Sequence, residues 1–487
     1  MTTQPAVLPL LRGSITLDEA LDQEEDMLLE LSFPTSRVKF FVSLYSRRHD
    51  TATLVAEHSL LSRCDQCFVG EVKEWIHGSF NVCIPVRVEG RAKGLPRRVM
   101  IRFPLPYKVG EALNPDNVDE KLRCEPLPLS EYVSSSLMSR FLGYGVLGSP
   151  VYTRTHASHD ENLLLVMDSL DDPEVQMLSE TWNELLHDGA KTTNLYRDMS
   201  RIMLPLSQLP LLRIGSWTID TNGVLQLTNR PLTLRLHQLD NAGIPTNMDR
   251  SLNYASADSY YHDILSCHDS RLRHQPNSMY DEDDGRAQMA NLTMMRALLP
   301  QFTDRDLSHG PFFYRLTDLH QSNIFVDKDW NIKYLIDLEW ACSLPAEIMR
   351  PPYWLTGRPV DDILGEHLDT FSEAHGRFMD IFQAEEKRYL PLFDDSAYRT
   401  SIMRRGWEVG NFWYFHALDS PKGLFNVFRD HIQPRFAASQ SADLTDSRIV
   451  SEYWSVDTMD VIEERLKAKE TYENELRRRF QDTCDSA

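Results

Sequence analysis

Residues 313–345 read FYRLTDLHQSNIFVDKDWNIKYLIDLEWACSLP, and this stretch decides which fold is expected for the chain. Two short apolar runs, Ile324–Val326 and Ile332–Ile336, flank the polar segment Asp327–Asn331. β-Branched and aromatic residues on either side of a polar turn are typical of a β-hairpin. The stretch therefore predicts two paired strands with a turn between them.

Polar side chains gather at one end of this predicted hairpin. Asp318 and Asn323 precede the first strand, and Asp337 ends the second. Two carboxylates and an amide that converge form an oxygen-rich site, which Mg²⁺ prefers when it bridges nucleotide phosphates. Asp318 would then orient or deprotonate a hydroxyl group. An ordinary hairpin with polar turn residues explains Asp327 and Asp329, but it does not explain the spacing of the other three.

The motif D-L-H-x-x-N, followed by I-D-x-E, resembles the aminoglycoside phosphotransferase and choline kinase-like family. The wider sequence, over about residues 71–420, resembles the large fungal branch of that family. The resemblance implies an α+β, protein-kinase-like bilobal fold: a small antiparallel-sheet lobe plus a larger, mainly helical lobe with a β-hairpin insertion. It also implies transfer of the γ-phosphoryl group of ATP, bound with Mg²⁺, to a hydroxyl group of a small molecule.

The family motif assigns a role to each polar residue of the segment. Asp318 would be the catalytic base, and Asn323 and Asp337 would be the Mg²⁺ ligands. Glu339 would be an accessory acidic group near the metal or the acceptor. His320 is usual in this branch, and it would lie near phosphate or in a hydrogen-bonded turn.

Two positions depart from the family pattern. Leu316 stands where the family usually has a His two residues before the base, and Thr317 stands where a Gly is common. That His mostly braces the loop, so its replacement weakens the resemblance without removing a reacting group.

The resemblance also points to nucleotide-binding residues in the amino-terminal half. Gly78 and Ser79 would lie in the loop whose backbone N–H groups cover the phosphates, although this loop has one Gly rather than a glycine-rich set. Arg102 would supply the cation for the phosphate oxygens. Its carboxylate partner would be Glu125, with Glu131 as the alternative.

From residue 71 the pattern predicts strand, turn, strand, strand, helix, strand and strand. One strand is predicted over residues 98–104, and another over residues 162–167 leads to the expected hinge between the lobes. Backbone groups around Met167 would contact the adenine.

Four regions are expected from the pattern along the chain. They are an N-terminal helical extension (1–70), a small nucleotide-binding lobe (71–175), a large catalytic and acceptor lobe (176–455, with an insertion at about 205–290) and a C-terminal helix (456–487). A continuous amphipathic helix is predicted over residues 16–33 and a hairpin around Asn222-Gly223. The acidic run at 281–285 is predicted to be a loop.

Composition excludes several classes of protein. With 51 Lys and Arg against 72 Asp and Glu, the 487 residues carry a net charge of −21, which argues against nucleic acids and anionic membranes as partners. Seven scattered cysteines indicate a reducing compartment, and Cys64 and Cys67 are interpreted as ordinary thiols. No apolar window is long enough to span a membrane, and the N-terminus lacks a secretory signal, so a cytoplasmic location is expected.

The acceptor and the activity stay open at this level. The aromatic run at 412–416 and the segment at 351–355 are candidates for an acceptor pocket, with core packing as the default for the former. The alternative functions are a pseudokinase that keeps the fold without turnover, and a tailoring protein that uses the cleft for other chemistry. The expected partners are a nucleotide and a small-molecule acceptor.

Overall fold

Helices and several small sheets alternate along the computed structural model, so the protein is a mixed α and β structure. The structure describes residues 6–58, 66–89, 98–124, 151–152, 165–168, 170, 172–219, 225–389, 398–420, 423–437 and 444–484. The strands are β1 (Val7–Pro9), β2 (Ser14–Thr16), β3 (Gln66–Val69), β4 (Ile76–His77), β5 (Asn81–Glu89), β6 (Arg98–Pro104), β7 (Val151–Tyr152), β8 (Leu165–Asp168), β9 (Gln176–Met177), β10 (Ser216–Ile219), β11 (Leu225–Asn229), β12 (Phe312–Leu316), β13 (Ile324–Val326), β14 (Ile332–Leu335) and β15 (Ala341–Pro345). The helices are α1 (Leu17–Leu21), α2 (Met27–Glu30), α3 (Phe33–Ser46), α4 (Arg48–His58), α5 (Asn117–Arg123), α6 (Leu178–Leu185), α7 (Gly189–Leu206), α8 (Leu234–Asn241), α9 (Ala257–His274), α10 (Glu282–Phe302), α11 (Glu366–Tyr389), α12 (Tyr398–Val409), α13 (Asn411–Asp419), α14 (Leu424–Val427), α15 (Leu444–Ser451) and α16 (Thr458–Cys484).

The largest sheet among the described residues is antiparallel and holds the strands from β3 to β8. Its order is β3-β5-β6-β8-β7, and β4 pairs with β5. Strand β6 lies at the centre, and its residues from 99 to 104 are all buried. A short continuous apolar run is typical of a strand covered on both faces, and the strand predicted over 98–104 is confirmed with the same bounds. Arg102 is the one charged residue among these buried positions.

Helices α3 and α4 cover one face of this sheet. Leu44 and Val55 from the helices pack in one cluster with Val82, Ile84 and Ile101 from the sheet. This burial holds the sheet as a unit with its own small hydrophobic core.

A second, larger core lies among α7, α9, α10, α11 and α13. The predicted hairpin is confirmed as β13 and β14, and Ile324, Val326 and Ile332 anchor it in this core with no exposed surface. Strand β9 adds a third strand to the hairpin. Strands β10 and β11 confirm the predicted hairpin around Asn222-Gly223, whose tip lies outside the described residues.

The continuous helix predicted over residues 16–33 is wrong. Thr16 caps α1 as expected, but this helix ends at Leu21. Asp26 then starts α2 because its side chain accepts hydrogen bonds from the backbone N–H groups of Leu28 and Leu29. A good N-cap residue inside an apolar pattern therefore begins a new helix rather than continuing the old one.

The loop predicted at 281–285 is also wrong. Asp281 is the N-cap of α10, and its carboxylate accepts a hydrogen bond from the Asp284 N–H at 2.8 Å. Glu282 and Asp283 occupy the first helical turn, where the helix dipole stabilises negative charge. The acidic run therefore marks the start of a helix.

The predicted C-terminal helix is confirmed as α16. Its residues Tyr472, Leu476 and Phe480 pack on the N-terminal segment, and the Tyr472 hydroxyl accepts a hydrogen bond from the Met27 N–H at 2.9 Å. Within the described part of the chain, no helix is long and apolar enough to cross a bilayer.

Candidate functional site

The loop between β12 and β13 brings the motif residues together. Thr317 fastens this loop to the segment after β14, because its N–H and its hydroxyl both donate to the Trp340 carbonyl, at 2.9 and 2.6 Å. The Asn323 side chain donates from Nδ2 to the backbone carbonyl of Asp318 at 2.9 Å. The Ile336 N–H donates to the Asn323 carbonyl at 3.0 Å, and Asp337 is the next residue in the chain. This bond therefore holds Asp337 close to Asn323.

Asp318 lies in an environment that favours its neutral form. Burial, reinforced by the negative charge of Asp337, raises the pKa of Asp318 to about 7. The positive charge of Arg235 and a hydrogen bond from Asn323 oppose this rise. A carboxyl group that exchanges a proton near neutral pH is suited to act as a general base.

His320 lies beside Asp318 and caps the turn. Its Nδ1 accepts a hydrogen bond from the Ser322 N–H at 3.2 Å, and its Nε2 lies 3.8 Å from Asp318 Oδ2. Burial lowers the pKa of His320, so the ring is neutral at pH 7 and the contact is not an ion pair. The sequence left two roles open for His320, and in the structure its ring takes part in the hydrogen-bonded turn.

Asp337 has a backbone conformation that is rare for a residue with a side chain. Its φ angle is 55°, in the left-handed region. Its side chain is 39% exposed, and Oδ1 lies 3.1 Å from Nη2 of Arg102. Strained, partly exposed polar residues concentrate at ligand sites, because the surrounding structure must hold them in place.

Behind Asp337 lies a buried polar cluster of Asn81, Arg102, Lys121 and Glu339. Arg102 donates to Oε2 of Glu339, which has no exposed surface. Lys121 from α5 lies 2.8 Å from Oε1 of Glu339 and donates to Asn81 Oδ1 at 2.7 Å. The Asn81 amide donates to Oε1 of Glu339 at 3.0 Å. One carboxylate thus joins two cations of the amino-terminal half to the hairpin segment.

Sequence reasoning missed Lys121 and the partners of Arg102. Glu125 and Glu131, the predicted partners, lie outside the described residues, whereas Asp337 and Glu339 form ion pairs with Arg102. A Lys in a short charged helix is usually a surface residue, so nothing in the local pattern singles out Lys121.

The other predicted nucleotide-binding residues lie around the sheet. Gly78 and Ser79 are exposed in the β4–β5 loop, and a turn is closed by the hydrogen bond from Gly78 N–H to the Asn81 carbonyl at 2.9 Å. The same loop reaches the motif segment through Phe80, whose ring lies 4.9 Å from that of Trp340. Met167 lies in β8 and pairs with Met100 of β6.

A cavity of about 530 Å³ opens beside Asp318. Pro351, Pro352, Tyr353 and Trp354 line it, as the sequence suggested for the segment at 351–355. Of the aromatic run at 412–416, His416 lines the cavity, and the other four residues are buried in the core, the default interpretation. Ligand sites commonly have volumes of about 300–1,000 Å³.

The donor set suits Mg²⁺ bound together with a phosphorylated ligand. Among the described residues, no group of three or more His, Cys, Asp and Glu side chains forms a protein-only metal site. Because the Asn323 amide donates from Nδ2, its Oδ1 is an acceptor that can face a cation, together with the Asp337 carboxylate. Mg²⁺ commonly uses one or two protein oxygens and completes its shell with water and phosphate.

Comparison with known proteins gives distant likenesses. No protein-family model and no curated protein match the chain. Among solved structures, a type I macrolide 2'-phosphotransferase matches at 13% identity and a TM-score of 0.34, over 77% of this chain and 95% of that one. An ethanolamine kinase from Plasmodium vivax matches at 10% identity and a TM-score of 0.33, over 80% of this chain and 82% of that one. A candidate aminoglycoside phosphotransferase from Ralstonia eutropha matches at 10% identity and a TM-score of 0.35, over 85% of this chain and 93% of that one. These likenesses are too distant to assign a function, which rests on the site itself.

Proposed function

We propose that the protein transfers the γ-phosphoryl group of ATP to a hydroxyl group of a small molecule. The observation that carries the proposal is the position of Asp318. This carboxyl group, with a pKa of about 7, lies at a cavity large enough for a metabolite and beside Asp337 and Asn323. A proton acceptor, cation ligands and a pocket next to one another are the parts that phosphoryl transfer needs.

In this proposal Asp318 acts on the acceptor, and Asn323 and Asp337 act at the nucleotide phosphates. Asp318 orients the acceptor hydroxyl and takes its proton as the acceptor oxygen bonds to the γ-phosphorus and the bond to ADP breaks. Asn323 and Asp337 would hold Mg²⁺, which would neutralise charge on the phosphate oxygens. Most of the rate gain then comes from positioning and electrostatics.

The proposal includes a bilobal, kinase-like arrangement. The six-stranded sheet would cover the nucleotide, with Gly78 and Ser79 over the phosphates and backbone groups near Met167 at the adenine. Arg102 would contact phosphate oxygens from the side of the sheet. Glu339 would hold Arg102 and Lys121 in place rather than bind metal itself, because both of its carboxylate oxygens already accept from these cations.

Isothermal titration of ATP tests the nucleotide site. We expect the wild-type protein to bind ATP with Mg²⁺ present and Asp337→Asn to bind it about tenfold more weakly or worse, because a proposed ligand loses its charge. Asp329→Asn is the matched control, since Asp329 is exposed in the turn of the same hairpin. The kinase proposal fails if the wild-type protein shows no Mg²⁺-dependent binding of ATP.

Turnover is tested by mass spectrometry on a panel of hydroxylated metabolites incubated with Mg·ATP. A product that gains about 80 Da identifies the acceptor. Asp318→Asn should lower the rate by about a hundred- to ten-thousand-fold, the usual effect of removing a general base. Its ATP affinity should stay within about threefold of wild type, because the substitution leaves the proposed cation ligands in place.

The ion pair between Arg102 and Asp337 favours one alternative. The Arg102 guanidinium lies 3.1 Å from the Asp337 carboxylate. It occupies a side of that carboxylate that would otherwise face the metal ion. A pseudokinase that binds its ligand without turnover would have such a self-neutralised site. ATP binding that is equally tight with and without Mg²⁺, together with no product of higher mass, would support this alternative.

A further inference from the structure

The cavity beside Asp318 has a wall rich in arginine. Four arginine residues line it: Arg235, Arg271, Arg315 and Arg350. The carboxylates of the wall are Asp318, Asp361 and Asp419. In a protein whose net charge is −21, an arginine-rich pocket is opposite in sign to the molecule as a whole.

Two of these arginines are accounted for by neighbours. Arg350 donates to the Asp419 carboxylate and, from Nε, to the His416 ring at 3.0 Å. Arg271 donates to Gln288 at 3.1 Å and lies near Glu24 and Asp284. Arg350 is therefore paired with a carboxylate, and Arg271 has two carboxylates nearby.

Arg235 and Arg315 donate differently, although the negative charge of Asp419 lies near both. Arg235 donates to the Asp419 carbonyl and to Gln238 Oε1, at 3.1 and 3.0 Å, and Arg315 donates to the Ile348 carbonyl. All three partners are neutral groups. Across the part of the chain that the structure describes, no carboxylate forms an ion pair with either guanidinium.

Both guanidinium groups belong to residues that line the cavity. Arg235 is exposed, and Arg315 is partly buried. Burial and the nearby charge of Arg350 lower the pKa of Arg315 to about 10, so it is still charged at pH 7. A guanidinium that donates only to neutral groups of the protein can bind an anionic group of a ligand through charge-assisted hydrogen bonds.

The histidines of the wall, His268 and His416, add no charge of their own. Burial lowers the pKa of His268 to about 4, and it lowers that of His416 still more clearly with help from Arg350 and Arg315. Both rings are therefore neutral at physiological pH, mainly because they are buried.

The remainder of the wall is largely apolar. Met199, Ile202 and Met203 come from α7, and Leu344 and Met349 come from the opposite side. Flexible methionine and aliphatic side chains suit a hydrocarbon or ring body rather than a sugar, which needs many hydrogen-bonding partners.

We propose that the acceptor is an amphipathic organic anion, with an apolar body, a hydroxyl group near Asp318 and a carboxylate, sulfonate or phosphate group held by Arg235 and Arg315. This inference rests on the proposed function in one respect: it treats the cavity as the acceptor pocket. Guanidinium groups bind such anions through paired, charge-assisted hydrogen bonds. Cationic acceptors such as amino sugars or amino alcohols would be repelled by the same pair of charges.

The anion site is tested without nucleotide. Anilinonaphthalenesulfonate fluoresces when it binds apolar sites, and phenylnaphthylamine has the same ring system without the sulfonate. We expect the wild-type protein to bind the sulfonate about tenfold more tightly than the neutral probe, the difference that a charge-assisted contact supplies.

Substitutions test which residues cause the difference in affinity between the two probes. Arg235→Met should weaken binding of the sulfonate about fivefold or more and leave the neutral probe unchanged, since methionine retains the apolar surface. Arg315→Met is expected to act in the same way. If Arg315→Met does not fold, Arg235→Met alone tests the inference. Arg388→Met is the control, because Arg388 is exposed outside the cavity.

Equal affinity for the two probes, or an equal effect of Arg235→Met and Arg388→Met, would overturn the inference. Because the assay contains neither ATP nor Mg²⁺, its result is separate from the fate of the kinase proposal. Selective sulfonate binding without any Mg·ATP binding would leave an anion-binding protein, whereas Mg·ATP binding without sulfonate selectivity would leave a kinase for another class of acceptor.

Discussion

At the scale of single residues, Asp318 has opposite effects on function and on stability. Its pKa is about 7 in the folded protein, against about 3.9 for an unperturbed Asp. As the pH rises above about 4, the unfolded chain releases this proton freely, whereas the folded protein keeps it until about pH 7. Folding stability therefore falls over this pH range and is constant, with respect to this group, above it.

Asp318→Asn should remove that cost. We expect the variant to be more stable than the wild type by about 1 kcal/mol at pH 5 and by about 2–4 kcal/mol at pH 8, because Asn stays neutral in both states. Urea unfolding followed by circular dichroism at the two pH values measures the difference.

Asp329→Asn is the control for this prediction, since the exposed Asp329 should show little dependence on pH between these values. A constant difference between Asp318→Asn and the wild type from pH 5 to pH 8 would contradict the raised pKa.

At the scale of elements, helix α5 is joined to the insertion hairpin by a buried ion pair. Glu120 accepts from Nε and Nη2 of Arg230, at 2.8 and 2.7 Å, and from the Asn229 amide at 3.0 Å. Burial alone would raise the pKa of Glu120, but the contacts with Arg230 lower it overall. Asp240 is the second carboxylate on Arg230. This network links α5, β11 and α8 into one packed unit.

Glu120→Gln should therefore destabilise the protein by about 3–5 kcal/mol, because it leaves a buried guanidinium with one carboxylate in place of two. Asp119→Asn on the same helix is the control, with an expected loss below about 1 kcal/mol, since the i,i+4 pair of Asp119 with Arg123 is partly exposed. Chemical denaturation measures both. Equal losses in the two variants would show that the network contributes nothing beyond a surface pair.

Helix α16 provides a second prediction at this scale. Leu476 has no exposed surface and packs in one cluster with Ile15 and Met27 of the N-terminal segment. Leu476→Ala should cost about 2–5 kcal/mol through lost burial and a residual cavity. Glu470→Ala, at an exposed position of the same helix, should change the free energy of unfolding by less than about 0.5 kcal/mol. Thermal unfolding of both variants would show whether α16 is part of the cooperative fold; similar values for the two would argue that it is not.

At the scale of the whole molecule, Glu339 links the six-stranded sheet to the segment that carries the motif. Arg102 comes from β6, Lys121 from α5, and Glu339 from the segment between β14 and β15. Glu339→Gln should destabilise the protein by about 3–5 kcal/mol, since two buried cations lose their shared carboxylate.

The double variant Lys121→Met/Glu339→Gln separates charge from packing. With one cation removed, it should be less destabilised than the sum of the two single variants, because groups in one ionic network are not additive. Strict additivity in urea unfolding experiments would indicate that Lys121 and Glu339 act independently.

The local sequence pattern was sufficient to predict those strands and helices in which it shows which face is buried. The buried strand at 98–104, the hairpin at 324–335 and the long helix α16 were all predictable, because an apolar run or a helical period shows which face is covered. The helix boundaries near Asp26 and Asp281 were missed, since a single capping hydrogen bond there outweighs the surrounding pattern.

The sequence by itself determined the spacing of Asp318, Asn323 and Asp337, because a hairpin is a local structure and brings its own ends together. Only the tertiary structure decided the partners of Arg102, the burial of Lys121 and the two unpaired arginines of the cavity. These features join residues more than a hundred positions apart in the chain, such as Arg102 and Glu339, and no local period records such pairs. The pKa of Asp318 belongs to the same class, since it depends on which groups exclude water from the carboxyl in the folded protein.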